Sequence, residues 1–325
     1  MRYIIYGAGG IGCVIGGHLA RTGHNVLLIG RLNHVSIINK DGLRLITPTH
    51  TYVLRIPAVT SPSHVKFSTD DVIFLCMKGQ NTEEALRELQ LVTKDVPIFC
   101  IQNGVRNEEM AVQYFPRLYG VMLRVGAEYL TNGEVIARRD PPGLLVIGRY
   151  PHGMDALAED LAMKLRAAGF LIHLTPDVMP YKWGKLIANL GNAVDAITGV
   201  WGSDVESITQ VARKELIDLL EHASIRWVSQ EELTRKWPEI RMPPRPSANA
   251  PMHSSTWQSL ARRQGSVETD FLNGEVVRMG VKLGRPTPIN RILMDITQEM
   301  AVNHELPGKY TAAELSSILG TPNSL

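Results

Sequence analysis

The chain has 325 residues, 44% of them hydrophobic and 20% charged, with a formal net charge of +2 at pH 7. That length accommodates two domains and that composition is ordinary for a globular protein, which excludes the disordered and fibrous classes. Lysines and arginines are scattered rather than striped, no apolar run reaches membrane-spanning length, and no signal-type apolar region follows Met1 and Arg2; neither nucleic acid nor a membrane is therefore expected as a partner, and the expected compartment is cytoplasmic.

Residues 3–6 (YIIY) make a short apolar run rich in β-branched and aromatic side chains, and residues 13–21 follow with helical composition and no proline. Between them stands Gly7-Ala8-Gly9-Gly10-Ile11-Gly12. A G-x-G-x-x-G string alone is a weak signal, but between strand and helix it marks the turn that receives a dinucleotide pyrophosphate. Gly7 permits the tight turn, Gly9 lets the backbone approach the phosphates, and Gly12 lets the helix pack close to its strand. Gly10 and Ile11 open the helix, where unpaired amides and the helix dipole favour an anion.

Residues 25–29 (NVLLI) read as the second parallel strand. An NAD-type site is expected to carry an Asp or Glu at its end to accept from the ribose 2′-hydroxyl. This chain has Gly30-Arg31 instead. A guanidinium there suits a 2′-phosphate by charge and by bidentate geometry, so NADPH is the expected cofactor.

Residues 41–57 look like β structure interrupted by turns, and residues 71–77 and 97–102 are solid apolar runs of the kind parallel strands show when both faces are covered. A helical stretch at 82–91 separates the latter two. Lys78 and Asn103-Gly104 follow these strands directly, at the carboxyl ends where open α/β sheets bind ligands. A solvated lysine and a plain turn signal are the competing readings of the same residues. Residues 118–150 hold several strand-like pieces around Asn132-Gly133 and Pro141-Pro142-Gly143, read as an antiparallel extension, before a helix at 155–168 and a strand at 171–174. Cys13, Cys76 and Cys100 have neither C-x-x-C nor zinc spacing and read as buried free thiols; no metal is expected.

Beyond Pro176 the strand signal disappears. Residues 181–197, 207–230, 254–283 and 288–304 read as helical or largely helical, with Thr287 as N-cap and Pro288 at the first helical position. Residues 237–251 carry five prolines, which exclude a regular helix and suggest an ordered loop. The expected fold is α/β: a Rossmann-type doubly wound sheet over residues 1–176 and an all-α domain over 177–325, with the substrate in a cleft opposite the nicotinamide.

The sharpest polar signal in the second half is KWGKLIANLGN, residues 182–192. On one continuous helix, Lys185, Asn189 and Asn192 fall within roughly 60° of one another, presenting an ammonium and two amides on one face. Capping or packing is the alternative role for the asparagines. Further on, hydroxyls in His253-Ser254-Ser255-Thr256 can bind a substrate carboxylate or hydroxyl, although Ser254 or Ser255 also suits a helix cap. Glu268, one turn before Leu272, can face the cleft or the solvent.

Together these motifs resemble the ketopantoate reductase (2-dehydropantoate 2-reductase) family, within the larger group of 6-phosphogluconate-dehydrogenase-like two-domain oxidoreductases. The likeness covers nearly the whole chain and rests on GAGGIG with Arg31, CMKGQ, IQNGV, KWGKLIANLGNAVDAITG, SSTWQS, VETDFLNGEVVRMG and GRPTPIN, in that order. The resemblance implies Lys185 as the catalytic lysine that donates to the ketone oxygen and Glu268 as its acidic partner. It implies Asn103, Asn189 and Ser255 as substrate or nicotinamide contacts, and Arg31 and Lys78 at the NADPH phosphates. Two features depart from the family pattern. Its asparagines usually stand four apart after the lysine, whereas Ala193 holds that place here and Asn192 comes three after Asn189; the interval from Ser255 to Glu268 is also one residue longer.

The expected activity is NADPH-dependent reduction of a 2-keto acid, foremost 2-dehydropantoate to pantoate in pantothenate synthesis. A related NAD(P)H oxidoreductase for another small keto or imino acid is the first alternative, and a non-catalytic NADPH-binding sensor the second. Helical second domains in such folds often dimerise, so a homodimer is carried as an expectation.

Overall fold

The computed structural model of the protein describes residues 1–200, 203–240 and 253–320. The chain divides into two compact units, Met1–Lys182 and Trp183–Leu325.

In chain order the first unit contains β1 (Arg2–Tyr6), α1 (Gly10–Arg21), β2 (Asn25–Ile29), α2 (Leu32–Asp41), β3 (Leu43–Ile46), β4 (Thr51–Leu54), β5 (Ala58–Val59), β6 (Asp71–Leu75), α3 (Thr82–Gln90), β7 (Ile98–Cys100) and α4 (Asn107–Ala111). It continues through β8 (Leu118–Val125), β9 (Ala127–Glu128), β10 (Glu134–Ala137), β11 (Gly143–Arg149), α5 (Ala156–Ala167) and β12 (Leu171–Leu174). Eight strands form one sheet in the order β12-β11-β8-β7-β6-β1-β2-β5. The pairings from β8 through β5 are parallel, and β11 joins β8 antiparallel. β3, β4, β9 and β10 make a second sheet, so the expected antiparallel extension after residue 118 is shared between two sheets.

Alternation along the central strands explains their solid apolar sequences. Tyr3, Ile5, Leu28, Phe74 and Phe99 pack into the core on one face, while Ile4, Leu27, Ile29, Ile73, Leu75 and Ile98 pack into a second core on the other. Both faces are dry, which is why no polar residue interrupts the runs. The winding reverses between β1 and β6, which are adjacent although β2 and β5 follow β1 on its other side. The carboxyl ends of β1 and β6 flank that switch point, the place where open α/β sheets bind ligands.

α6 (Met179–Asn189) begins in the first unit and is followed by α7 (Gly191–Thr198), α8 (Ser203–His222), α9 (Gln230–Lys236), α10 (Ser255–Ala261), α11 (Asn273–Leu283), α12 (Pro288–Val302) and α13 (Ala312–Leu319). No strand occurs past Leu174 among the described residues. α7 packs against α8, α10 and α12 around Val194, Ile197, Ile208, Leu260, Leu293 and Met300.

Several helical boundaries differ from expectation. The stretch 181–197 is two helices, broken at Leu190, whose carbonyl accepts from the Asn273 side-chain amide (3.4 Å). The stretch 207–230 ends its helix at His222 and resumes only at Gln230. The stretch 254–283 is interrupted after Ala261, and Glu268–Phe271 forms a 3-10 turn. Thr287 stands at the N-cap of α12 without a capping side-chain bond. Glu215 caps it instead, accepting from the amides of Ile289 (2.9 Å) and Asn290 (3.0 Å), a negative charge where the helix dipole favours one. Of the proline-rich stretch, Pro238–Ile240 is a 3-10 turn with Ile240 buried, and residues 241–251 lie outside the described residues.

Candidate active site

The glycine turn owes its geometry to steric necessity. Gly7 has φ +103°, and a Cβ there would lie 2.4 Å from the Met77 amide nitrogen at the end of β6. A Cβ on Gly12 would lie 2.4 Å from the Gly7 carbonyl oxygen and 2.8 Å from Ile5. Any side chain at either position would separate α1 from the sheet or the turn from β6. A Cβ on Gly9 would meet nothing within 4 Å, so space lies open over the turn. Gly9 is the N-cap of α1, and the amides of Gly10, Ile11 and Gly12 begin the helix without intrahelical acceptors. This arrangement fits a pyrophosphate: open space, free donors and the positive end of a twelve-residue helix coincide.

Arg31 is the exposed N-cap residue of α2, directly after β2. Gly30 allows this: a Cβ there would press to 2.8 Å from that of Ala8, so the end of β2 closes onto the glycine turn. Lys78 and Asn103 are both half-buried and follow β6 and β7. The structure thus brings Gly7, Gly9, Gly10, Ile11, Gly12, Arg31, Lys78 and Asn103 to the carboxyl edge of one sheet. Cys13 and Cys100 are buried free thiols, with burial pushing Cys13 up to about 12; Cys76 is also free but partly exposed, because it lies past the end of β6.

In the second unit, Lys185 and Asn189 stand four apart on α6, on one face; Lys185 is half-buried and Asn189 buried. Asn192 is not on that helix. Leu190, between the two helices, keeps helical dihedrals (φ −62°, ψ −27°), and Asn192 stands in the first turn of α7. Ser254 is the cap of α10, accepting from the Trp257 amide (3.1 Å), which leaves the half-buried Ser255 as the first helical residue. Glu268 is buried, on a 3-10 turn rather than an α-helix.

Other buried polar residues lie close to these in sequence and were not singled out from it. Lys182, three residues before Lys185, donates to Glu108 of α4, and both side chains are fully buried. Burial pushes the Glu108 carboxyl up, and the Lys182 ammonium opposes that shift. Asp195 on α7 is buried and accepts from the Ser254 amide (2.7 Å) and from His253 Nδ1 (3.1 Å). The His253 ring stacks on Trp257 with centroids 3.8 Å apart and planes 5° from parallel. The sequence signs were an aspartate inside the apolar stretch of α7 and a second lysine three residues before Lys185 on α6.

Among the described residues no group of three or more His, Cys, Asp or Glu is placed to hold a metal ion, and no helix is long and apolar enough to cross a membrane.

Comparison with known proteins identifies one family across both halves of the chain. The family described as Ketopantoate reductase PanE/ApbA matches residues 3–152, and its C-terminal counterpart matches residues 177–301. A 2-dehydropantoate 2-reductase of Pyrococcus horikoshii is 30% identical over 90% of this chain and 95% of its own. A PanE/ApbA family ketopantoate reductase from Ralstonia eutropha JMP134 superposes with a TM-score of 0.79 at 29% identity, covering 94% of this chain and 99% of that one. D-mandelate dehydrogenase in complex with NADH and anilino(oxo)acetate shares the fold, with a TM-score of 0.81 at 23% identity and the same coverage. The glycine turn, the strand-end residues and the α6 motif occur in a sequence that both halves of one family match, and the chain belongs to the ketopantoate reductase family.

Proposed function

We propose that this protein reduces 2-dehydropantoate to pantoate with NADPH. The observation that carries the reading is Lys185 with Asn189 on one face of α6, in a chain whose first unit carries a complete dinucleotide turn. The reading keeps residues 1–176 as the cofactor domain and 177–325 as the substrate and catalytic domain. Arg31 and Lys78 hold NADPH phosphates, and the amides of Gly10, Ile11 and Gly12 receive the pyrophosphate.

NADPH supplies the hydride to the ketone carbon. As charge develops on the ketone oxygen, the Lys185 ammonium stabilises it and then gives it a proton, a contribution typical of positioned acids and electrostatic donors. Glu268 is the acidic partner of that lysine in this reading. Asn103, Asn189, Asn192 and Ser255 orient the substrate by hydrogen bonds that a misplaced or truncated acid leaves unmade. The reaction takes place in the cytoplasm, in a homodimer.

A second reading, reduction of another small keto acid, is favoured by the spacing of three between Asn189 and Asn192 and by the buried Ala193 in the place of the family's usual asparagine. D-mandelate dehydrogenase, with NADH and an oxoacetate in its complex, illustrates that this fold serves other 2-oxo acids. NADPH oxidation followed by absorbance, with 2-dehydropantoate beside a panel of 2-keto acids, separates the two. Preference for 2-dehydropantoate supports the first, preference for another acid the second. Absence of turnover with NADPH still bound contradicts both and leaves a sensor.

A further inference from the structure

We propose that Gln102, Thr82 and Asn107 are positioning residues of the cofactor site, acting as one hydrogen-bond chain that fixes the two loops bearing Lys78 and Asn103. The proposal rests on the reading of the chain as an NADPH-binding reductase.

The chain starts at the carbonyl oxygen of Met77, the residue before Lys78. Gln102 Nε2 donates to it (3.0 Å) and also to Thr82 Oγ1 (2.7 Å). Thr82 Oγ1 donates to Asn107 Oδ1 (2.9 Å), and Asn107 Nδ2 donates to the carbonyl oxygen of Asn103 (2.8 Å). Thr82, Gln102 and Asn107 are 0%, 3% and 0% exposed.

The chemistry of the ends dictates that of the middle. Both ends are backbone carbonyls, which only accept, so each must meet a donor, here a side-chain amide NH₂. The oxygen of Asn107 then accepts from the Thr82 hydroxyl, whose own lone pair receives the second proton of Gln102. Amide, hydroxyl and amide in that order meet the requirement: from Gln102 one bond runs to Met77 and the rest run through Thr82 and Asn107 to Asn103, and such bonds reinforce one another in a dry interior. Burying three polar side chains is costly unless they are paired; apolar residues would hold α3 and α4 against the sheet as well. What this chain adds is the orientation of two peptide planes, 77–78 and 103–104, at the carboxyl ends of β6 and β7. The second opens a turn in which Gly104 has φ +80°. Lys78 is held from its other side too, its carbonyl accepting from the Asn81 amide (2.9 Å).

The test compares Thr82→Val, Thr82→Ser, Gln102→Glu and, as a control, Leu86→Ala. Leu86 is a buried α3 residue that no bond of the chain touches. NADPH Kd by fluorescence, KM for NADPH, kcat and Tm are measured for each. Thr82→Val and Gln102→Glu should raise the NADPH Kd about tenfold, as loss of a buried hydrogen bond implies, Thr82→Ser should restore it, and Leu86→Ala should lower Tm without moving it. An unchanged Kd in Thr82→Val, or Thr82→Ser failing to restore it, overturns the proposal. Amide hydrogen exchange at residues 77–79 and 103–106 tests the tether even in a protein that binds no NADPH: faster exchange in Thr82→Val supports it and unchanged exchange overturns it. A failure of the functional reading is separate, appearing as absent NADPH binding in the unaltered protein.

Discussion

The two units place their chemistry-bearing groups by different means. In Met1–Lys182 the phosphate turn follows from the backbone, with positive φ at Gly7 and close approaches at Gly12 and Gly30, and only the loops after β6 and β7 are tied by buried side chains. In Trp183–Leu325 they follow from side chains buried by tertiary contacts, as with Glu268, Asn189, Asp195, Asn273 and Asn290. The first kind of site is rigid because no other residue fits, whereas the second depends on which partner each polar group finds. Changes in the first unit should therefore disturb stability and cofactor binding together, and well-chosen changes in the second should separate turnover from both.

The largest stability effect is expected at the buried pair of Lys182 and Glu108, a side-chain contact within the first unit. Lys182→Met leaves an uncompensated buried carboxyl and should cost about 3–5 kcal/mol, while the double change with Glu108→Gln should recover much of it. Chemical denaturation measures both, and equal losses in the single and double variants would remove the pair from the account. Gly12→Ala comes next. Its Cβ meets backbone at 2.4 Å, so the cost should reach at least the upper end of the ~1–3 kcal/mol typical of overpacking, with NADPH affinity falling alongside Tm. Retained affinity at lowered Tm would show that the turn is not a phosphate site.

A third expectation concerns acid. Burial holds the His18 and His34 rings neutral, lowering each from 6.5 to about 4. The unfolded chain takes up these protons first as pH falls, so stability is intact above about pH 6.5 and declines toward pH 4, on the order of 3 kcal/mol per ring. Thermal melts across that range should show the decline, and a variant carrying His18→Gln and His34→Gln should flatten it; a flat curve for the unaltered protein would refute it. The smallest effect is Arg31→Ala, which should weaken NADPH by roughly ten- to a hundredfold through loss of charge-assisted bonds. NADH should weaken much less, and equal losses would mean that Arg31 does not read the 2′-phosphate.

The same contrast explains what the sequence disclosed. β1, β6 and β7 were legible because the interiors of strands covered on both faces are solidly apolar, and the turn because only glycine meets its steric demands. The break at Leu190 was not, since that residue keeps helical dihedrals (φ −62°, ψ −27°) and only its carbonyl partner, Asn273, lies far along the chain. The Glu215 cap of α12 was hidden for the same reason, 74 residues from the first amide it receives. Lys185 and Asn189 could be placed on one face from spacing alone, whereas the boundary that puts Asn192 on the next helix could not. Gln102, Thr82 and Asn107 read individually as ordinary polar residues. Their order along a bonded chain exists only in three dimensions.

The most direct measurement is kcat with 2-dehydropantoate and NADPH Kd, determined together for Lys185→Ala. The account predicts a loss in kcat of at least roughly a hundredfold, the lower range for a positioned proton donor, with NADPH affinity unchanged. Undiminished turnover, or a parallel collapse of cofactor binding, would contradict the assignment of proton donation to α6 and cofactor binding to the sheet.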